Sequence, residues 1–329
     1  MSRRRIKVLL QTTIVPTEDD WSIARFSRLT ALLANATGDD GELLYEVTAR
    51  DRGPVDVPDP VLSTLDTSAF DQLWLFAVDT GDGLRTRDCA AIARFWRNGG
   101  GLMVTRDHMD LGSSICSLDG VGAAHFFHTR NAPADPEARA RDDPYTTAIS
   151  WPNFHSGANG DYQVIEPVLP IHPVLRDPAS ATGAIRFLPS HPHEGGVRAP
   201  EGSDARVIAI GHSKVTGRAF DLAVAFAECP THGRAIAQST FHHFADYNWD
   251  VRSGSPSFVT EPPSDGLVKH PQAAADTRRY ALAVADWLGA SKATAAVHAA
   301  DRECARAQHP ISSRSPSWAS RVTASTTVR

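Results

Sequence analysis

Two apolar segments separated by one amphipathic helix, between residues 73 and 105, constrain the fold of this chain most. Residues 73–78 read LWLFAV, and a strand that is apolar throughout needs cover on both faces. A second apolar segment, LMVT, occupies residues 102–105. The helix between them has apolar side chains at i, i+3, i+4 and i+7, namely Cys89, Ile92, Ala93 and Trp96. A strand, helix and strand at this spacing predict a right-handed crossover in a parallel sheet.

The ends of this helix are marked by single residues. Thr86 is suited to cap the N-terminus, and Asp88 lies in the first turn, where negative charge is favourable. Gly99 follows the last apolar position and can adopt the left-handed conformation that ends a helix. The pattern therefore predicts a helix from Thr86 to about Gly99.

Other segments show the same two periodicities more weakly. A helix is predicted over residues 21–34, and a last helix has a face formed by Tyr280, Val284, Trp287 and Leu288. Further strands are predicted at residues 6–10, 43–47, 162–165, 207–210, 222–226 and 235–238.

The domain organisation follows from changes in composition along the chain. Residues 1–289 are predicted to form one α/β domain, in which residues 112–205 are a loop-rich insertion over the sheet edge. Residues 290–329 carry six Lys or Arg against two acidic residues and are rich in Ala, Ser and Thr, which predicts a disordered basic tail. Without interleaved aromatic residues, this tail is interpreted as solvated and not as a nucleic-acid-binding segment.

Composition limits the location and the partners of the protein. The chain has 329 residues, a formal net charge of −5 and four cysteines that form no CxxC pair. This cysteine pattern favours a reducing cytoplasm over a disulfide framework or a thiolate zinc site. No apolar run reaches the length of a membrane span, and the basic start is interpreted as leading into a first strand instead of a signal peptide. Assembly with identical chains stays open.

Ionisable residues follow two of the predicted strands at the point where each strand ends. Residues 102–105 are followed by Arg106, Asp107, His108 and Asp110. Residues 235–238 are followed by Phe241, His242, His243, Asp246, Tyr247 and Trp249. Because ligands of open parallel sheets bind at the carboxyl ends of the strands, we expect Asp107 and His242 to face each other across one cleft.

Five segments, in this order, resemble the ThuA-like family of the class I glutamine amidotransferase-like superfamily. They are FDQLWLF at 70–76, NGGGLMV at 98–104, IHPVLRD at 171–177, GRAIAQSTFH at 233–242 and ADWLG at 285–289. The resemblance covers residues 5–289 in outline. It implies a flavodoxin-like parallel sheet flanked by helices, and a loose link to sugar catabolism.

The sequence departs from the chemistry of the wider superfamily, which hydrolyses glutamine with a cysteine on a turn after a central strand and with a His and a Glu near the end. The turn after residues 102–105 offers Arg106, Asp107 and His108 instead of a thiol. Phe244 stands two residues after His242, in place of the carboxylate. Cys116 comes about ten residues too late for the turn. Glutamine amidotransferase activity is therefore not expected.

One hypothesis for the chemistry is a divalent metal site. Imidazole and carboxylate ligands suit zinc, manganese or iron, and such an ion could activate water or polarise a sugar carbonyl. The candidate ligands are His108, His243 and Asp110, with His242, Asp107 or Asp246 as alternatives. His242 and His243 are adjacent, so on extended backbone only one of them can point into the site.

The second hypothesis is acid–base catalysis without a metal on a polyol or keto-sugar. His242 is the preferred acid–base residue, with Asp107 or Asp246 as its partner and His108 nearby. Substrate contacts are predicted for Arg106, Phe241, Tyr247, Trp249 and His155. The substrate would be sugar-like and would be hydrolysed, isomerised or subjected to elimination.

Two less specific interpretations stay open. A non-catalytic protein that binds a ligand or a partner could use the same fold, because fold does not determine function. The segment HPHEG at residues 191–195 could be a ligand loop, but its proline and glycine suit a plain turn equally well.

Overall fold

The computed structural model describes residues 4–118, 120–146 and 148–308 of the chain. Its strands are β1 (Ile6–Thr12), β2 (Tyr45–Arg50), β3 (Gln72–Phe76), β4 (Gly101–Thr105), β5 (His125–Phe126), β6 (Tyr162–Val164), β7 (Glu166–Pro167), β8 (Phe187–Pro189), β9 (Gly196–Val197), β10 (Arg206–His212), β11 (Ala219–Phe226) and β12 (Ala235–Gln238). Its α-helices are α1 (Ser27–Ala34), α2 (Thr86–Arg97), α3 (Asp246–Trp249), α4 (Gly266–Lys269) and α5 (Pro271–Gln308). Short 3₁₀ helices lie at Ile23–Phe26, Leu62–Thr67, Ser113–Ser117, Gly120–Ala124, Pro136–Ala138, Pro173–Leu175, Phe241–Phe244 and Val251–Ser253.

Eight strands form one central sheet in the order β2-β1-β3-β4-β12-β11-β10-β7. The first five strands of this order pair in parallel, as predicted, and their order matches the flavodoxin-like arrangement with β12 as the fifth strand. The remaining three strands pair antiparallel, which the sequence analysis did not predict. The short connection between β10 and β11 allows a hairpin but not the crossover that parallel strands need.

The apolar strands are covered on both faces, as the pattern of residues 73–78 predicted. Along β3, Trp74 and Phe76 belong to one buried cluster, and Leu73 and Leu75 belong to a second cluster on the opposite face. Buried residues of α1 and α5 pack into the first cluster, and buried residues of α2 pack into the second. The sheet is therefore a middle layer between helices.

The ends of α2 differ slightly from the prediction. Thr86 is the first helical residue and Arg85 is the N-cap, so the predicted cap was one residue too late. Asp88 accepts a hydrogen bond from the Arg85 backbone N at 3.0 Å, which holds the start of the helix. Gly99 follows the helix with φ of +86°, the left-handed conformation that the sequence predicted.

The predicted helix over residues 21–34 begins as a 3₁₀ turn and continues as α1. In α5, Tyr280, Val284 and Leu288 are buried as predicted, and Trp287 is partly buried. The helix continues to Gln308, through residues for which the sequence predicted a disordered tail. The rest of that tail, residues 309–329, lies outside the described residues.

The chain divides into two compact units, residues 1–295 and 296–329, and the sheet belongs to the first unit. Within it, residues 112–205 contain only short helices and strands, including two small sheets formed by β5 with β9 and β6 with β8. Among the described residues, no helix combines the length and apolar character that crossing a membrane requires.

Candidate active site

A cavity of about 540 Å³ lies outside the carboxyl ends of the parallel strands. Its lining comes from the segments that follow β1 (Asp20 and Trp21), β3 (Val78 and Thr80), β4 (Asp107, His108 and Leu111) and β12 (Phe241 and His242). The long loops complete it with Tyr145, Thr146, Ile149, His191, His193 and residues 258–261. The position is the one at which open parallel sheets bind ligands.

Asp107 and His242 are brought together in this cavity, as the sequence predicted. The backbone N of Phe241 donates to the carbonyl of Arg106 at 2.8 Å, which holds the segments after β4 and β12 side by side. Thr240 caps the 3₁₀ turn that follows: its hydroxyl accepts from the His242 backbone N at 3.2 Å and donates to Asp107 Oδ1 at 3.3 Å. This turn directs His242 into the cavity.

The Asp107 carboxylate lies among three imidazole rings. Its Oδ1 is 3.4 Å from Nε2 of His191, and its Oδ2 is 3.7 Å from Nε2 of both His108 and His242. We call Asp107, His108, His191 and His242 the cavity cluster. The side chains of Asp107, His191 and His242 are at most 4% exposed, so their electrostatic interactions are stronger than they would be in water.

A chain of hydrogen bonds sets the proton positions on two of these rings. The Asn248 amide donates from Nδ2 to the Ser190 carbonyl at 3.0 Å, and a backbone carbonyl can only accept. Its Oδ1 therefore faces His242, whose Nδ1 lies 2.8 Å away and must donate. The same Nδ2 donates to Asn159 Oδ1 at 2.9 Å.

Asn159 fixes the proton position on the His191 ring in the same way. Because Asn159 Oδ1 accepts from Asn248, the Nδ1 of His191, 2.9 Å from the same oxygen, must also donate. In their neutral forms, His191 and His242 therefore both present an unprotonated Nε2 to Asp107. The Nε2 of His191 is buried and has no hydrogen-bond partner among the described residues.

Burial and neighbouring charge shift the pKa values of this cluster. Burial lowers the pKa of His191 well below its ordinary value, and the interaction with His242 acts in the same direction. Burial also lowers the pKa of His108. For Asp107, burial alone would raise the pKa, but the His108 and His242 imidazoles outweigh it and hold that pKa well below its usual value. Asp107 is thus a carboxylate at neutral pH.

His193 and Glu261 form a second acid–base pair on the cavity wall. His193 Nε2 lies 2.8 Å from Glu261 Oε1, and this hydrogen bond lowers the pKa of Glu261. The His193 ring packs edge-on against those of His108 and His191, with centroids 5.4 and 5.6 Å apart. The pair therefore adjoins the cavity cluster.

The arrangement does not suit a metal ion held by both stacked histidines. Ligand atoms of Asp107, His191 and His242 lie within 4.8 Å of one another, close enough for one ion. However, the rings of His191 and His242 stack with centroids 3.5 Å apart and planes 11° apart. An imidazole binds a metal along its lone pair in the ring plane, and two stacked rings direct their lone pairs along separate planes.

The three preferred metal ligands are not brought together, whereas the alternatives Asp107 and His242 lie beside His108. His243 points away from the cavity, with Nε2 3.3 Å from Glu194 Oε2 and Nδ1 2.6 Å from Gln238 Nε2. Asp110 does not line the cavity, and its Oδ1 accepts from the Thr129 backbone N at 2.9 Å. Of the predicted set His108, His243 and Asp110, only His108 reaches the cavity.

His243 belongs instead to a second polar group, which we call the closed cluster: Glu194, His243, Gln163, Gln238, Ser156 and Ser239. The Glu194 carboxylate accepts from Ser156 Oγ and Gln163 Nε2 on one oxygen and from Ser239 Oγ at 2.8 Å on the other. Glu194 and His243 are fully or almost fully buried and line no part of the cavity.

Two charged residues that were predicted to belong to the site instead form hydrogen bonds that stabilise the fold. The Asp246 carboxylate accepts from the backbone N and the hydroxyl of Ser27 and from the backbone N of Arg28, so it stabilises the start of α1. Arg106 is fully buried, with its guanidinium donating to the carbonyls of Phe126, Gly196 and Met109. Neither lines the cavity.

The predicted substrate contacts are only partly placed at the cavity. Phe241 lines it. Tyr247 and Trp249 are buried elsewhere, and the Trp249 ring N donates to the His243 carbonyl at 2.8 Å. His155 also lies outside the lining, with Nδ1 3.3 Å from the Pro192 carbonyl. Tyr247 and Trp249 were predicted from their closeness in sequence to His242, and His155 from its place in the loop-rich insertion. None of the three lines the cavity.

Sequence reasoning missed several residues of the site. His191 and His193 line the cavity, and HPHEG was left undecided between a ligand loop and a turn. The two histidines in that segment were the available signal. Asn159 and Asn248, which orient the stacked rings, carried none, because isolated asparagines are common in loops.

Comparison with known proteins finds similar structures only. No protein-family model matches the chain, and no curated protein matches it. A putative ThuA-like protein from Bacteroides uniformis is 13% identical with a TM-score of 0.42, covering 86% of this chain and 91% of that one. The glutaminase domain of a Trypanosoma brucei CTPS is 12% identical with a TM-score of 0.41, covering 85% and 94%. A carbohydrate deacetylase, Agd3, is 13% identical with a TM-score of 0.38, covering 75% and 32%.

Proposed function

We propose that this protein is an enzyme that acts on a small carbohydrate-derived molecule, by hydrolysis, isomerisation or elimination. The observation that carries the proposal is the Asp107 carboxylate among three imidazoles on the wall of a cavity of about 540 Å³. A cavity of this size holds a small molecule, and ionisable groups with shifted pKa values in a cleft are typical of catalytic sites.

His242 is the acid–base residue of the proposal. Its Nδ1–H is held by Asn248, so the ring exchanges protons through Nε2, which faces Asp107 and the cavity. When Nε2 takes a proton from a substrate hydroxyl or carbon, the Asp107 carboxylate stabilises the imidazolium that forms. Asp107 replaces Asp246 as the only carboxylate partner, because Asp246 caps α1.

The His193–Glu261 pair supplies a second proton-transfer group. Reactions at a sugar carbon usually need one group to remove a proton and another to deliver one. Glu261 orients His193 by a hydrogen bond of 2.8 Å, and both side chains line the cavity. Trp21, Phe241 and Phe258 add aromatic surface to the lining, on which the apolar face of a sugar ring can pack.

The cavity does not support glutamine hydrolysis. No cysteine is present among the described residues that line it. Cys116 lies in the short helix Ser113–Ser117, where burial raises its pKa to about 11, so it is a thiol at neutral pH. We also propose a cytoplasmic location, which the wide spacing of the four cysteines, without a CxxC pair, supports.

The test is a turnover screen on unphosphorylated sugars, polyols and amino sugars with the full chain. His242→Ala is expected to lower kcat by roughly 10²–10⁴-fold, the usual contribution of a general acid–base group. His212→Ala is the matched control, because His212 is exposed on β10 and lines no part of the cavity.

Unchanged turnover and binding in His242→Ala would contradict the proposal. A different outcome would favour a non-catalytic binding protein on the same fold. In that case the wild type turns over none of the compounds but binds one of them, and His242→Ala loses that binding.

A further inference from the structure

The charges that line the cavity are negative. Asp20, Asp107 and Glu261 contribute carboxylates, and no lysine or arginine is present in the part of the lining that the structure describes. Sites that bind phosphate or carboxylate groups normally supply arginine, lysine or a helix N-terminus. The cavity therefore lacks the usual partners of an anionic substrate.

Two arginines close to lining residues, Arg106 and Arg25, direct their charge elsewhere. The Arg106 guanidinium donates to three backbone carbonyls and lies 3.9 Å from the centroid of the Phe127 ring. Arg25 lies near Trp21 but donates to the carbonyls of Asp20 and Gly254. Neither guanidinium is placed to neutralise a ligand.

Histidines do not reverse this balance. Burial lowers the pKa values of His108 and His191, so both rings are neutral near pH 7. Even with His193 and His242 both protonated, the carboxylates outnumber the cationic rings by three to two. An anion entering the cavity would meet net negative charge.

The contact between Asp107 and His191 also has an acceptor on each side. Asp107 can only accept, and the Nε2 of His191 is an unprotonated, buried atom with no partner in the described structure. These acceptors lie 3.4 Å apart. A primary ammonium group offers three N–H donors and a positive charge, and so complements both features.

We propose that the cavity binds a polyhydroxylated small molecule that carries a primary ammonium group, with the ammonium at Asp107 and His191 Nε2. This inference rests on the proposed function in taking a carbohydrate-like substrate, and it names the class: amino sugars or amino polyols, not sugar phosphates or uronates. The hydroxyls face the carboxylates of Asp20 and Glu261, and the carbon skeleton packs on Trp21 and Phe258.

A binding experiment tests this without requiring turnover. The full chain, uniformly labelled with ¹⁵N and kept free of metal by a chelator, is titrated with ethanolamine, ethylene glycol and glycolate. These probes are of similar size and carry an ammonium, no charge and a carboxylate. The readout is the ¹⁵N chemical shifts of His191 and His242. We expect ethanolamine to shift these signals with an affinity about tenfold or more above that of ethylene glycol, and glycolate to leave them unchanged.

Three other outcomes for the affinities of the probes would overturn the proposal. Glycolate binding as well as ethanolamine, ethylene glycol binding equally well, or ethanolamine having no effect would each refute it. Stoichiometric shifts on adding Zn²⁺ to the chelator-free protein, with no response to ethanolamine, would identify a metal site instead.

A substitution of Asp107 tests whether its carboxylate holds the ammonium. Asp107→Asn keeps the shape of the side chain and is expected to weaken ethanolamine binding by about tenfold or more. Asp110→Asn is the matched control and should bind as the wild type does, because Asp110 does not line the cavity. If Asp107→Asn fails to fold, His191→Asn, which removes the Nε2 acceptor, is measured, and an unchanged affinity there would contradict the proposal. Failure of the turnover screen leaves this result intact, so the two proposals fail separately.

Discussion

His242 and His243 are adjacent in the chain, yet their side chains belong to two different polar environments. His243 is in the closed cluster, where both ring nitrogens lie within 3.3 Å of Glu194 or Gln238. His242 is in the cavity cluster, where its Nε2 is 3.7 Å from Asp107 and the neighbouring His191 Nε2 has no described partner. The closed cluster pairs both ring nitrogens of its histidine, and the cavity cluster leaves one imidazole nitrogen, Nε2 of His191, unpaired among the described residues.

This difference separates polar groups that stabilise the fold from those that act on a substrate. A buried carboxylate with several short hydrogen bonds contributes to stability, because its donors would otherwise be buried without a partner. A buried carboxylate with long contacts contributes less and leaves room for a reacting molecule. Proteins commonly give up stability at such sites.

The largest expected effect comes from matched isosteric variants of the two carboxylates. Glu194→Gln places an amide NH₂ against hydroxyl and amide donors, and we expect it to lower the free energy of unfolding by about 2–4 kcal/mol. Asp107→Asn keeps an oxygen that can accept the 3.3 Å hydrogen bond from Thr240, and should cost about 1 kcal/mol or less. Urea unfolding at pH 7.5 measures both.

Equal losses of stability in Glu194→Gln and Asp107→Asn would break the comparison, since Asp107 would then be as firmly bonded as Glu194. Turnover is expected to fall only in Asp107→Asn when the two variants are compared at a temperature where both are folded.

The second prediction concerns the pH dependence of stability. The pKa of His191 in the folded state lies well below its ordinary value because the ring is buried. Below about pH 6.5, the unfolded chain binds a proton at this residue that the folded chain does not, so stability falls as the pH falls. The contribution of one residue reaches at most about 1.4 kcal/mol per pH unit.

His191→Asn should therefore show a shallower loss of stability between pH 7.5 and 5.5 than the wild type. Urea unfolding at several pH values measures it. An identical slope in the two proteins would indicate that His191 takes up its proton in the folded state and is not held neutral.

The smallest effect is expected at Asp246, which the sequence analysis assigned to catalysis. Asp246→Asn weakens the interaction with the start of α1 and should lower the free energy of unfolding by about 1 kcal/mol. Ligand binding and turnover should stay at the wild-type level, measured in the same assays. If Asp246→Asn loses more turnover than its loss of folded protein explains, Asp246 takes part in catalysis.

Much of the fold was predictable because its signals are local. The apolar run at residues 73–78, the stripe on α2 and the glycine after it each depend on neighbours within one helical turn or a few strand residues. The antiparallel edge formed by β11, β10 and β7 was not predicted. Strand patterns show which segments are extended but do not show the direction in which they pair.

The candidate site was predictable only where it depends on strand ends. Asp107 and His242 follow β4 and β12 directly, so the rule for open sheets placed them together. His191 and Glu261, which line the cavity, and Asn159, which bonds to His191, lie in segments without periodicity. Their positions depend on contacts between residues far apart in sequence. No local pattern reports such contacts.

By itself, the sequence determined the layered α/β architecture and the edge of the sheet where chemistry could occur, because hydrophobic periodicity and strand ends are properties of short segments. Only the tertiary structure decided which of two adjacent histidines faces the cavity. A 3₁₀ turn capped by Thr240 points His242 toward Asp107, while Glu194 and Gln238 hold His243 in the interior. Side-chain direction after a strand is set by packing and hydrogen bonding with distant residues, which the order of amino acids does not display.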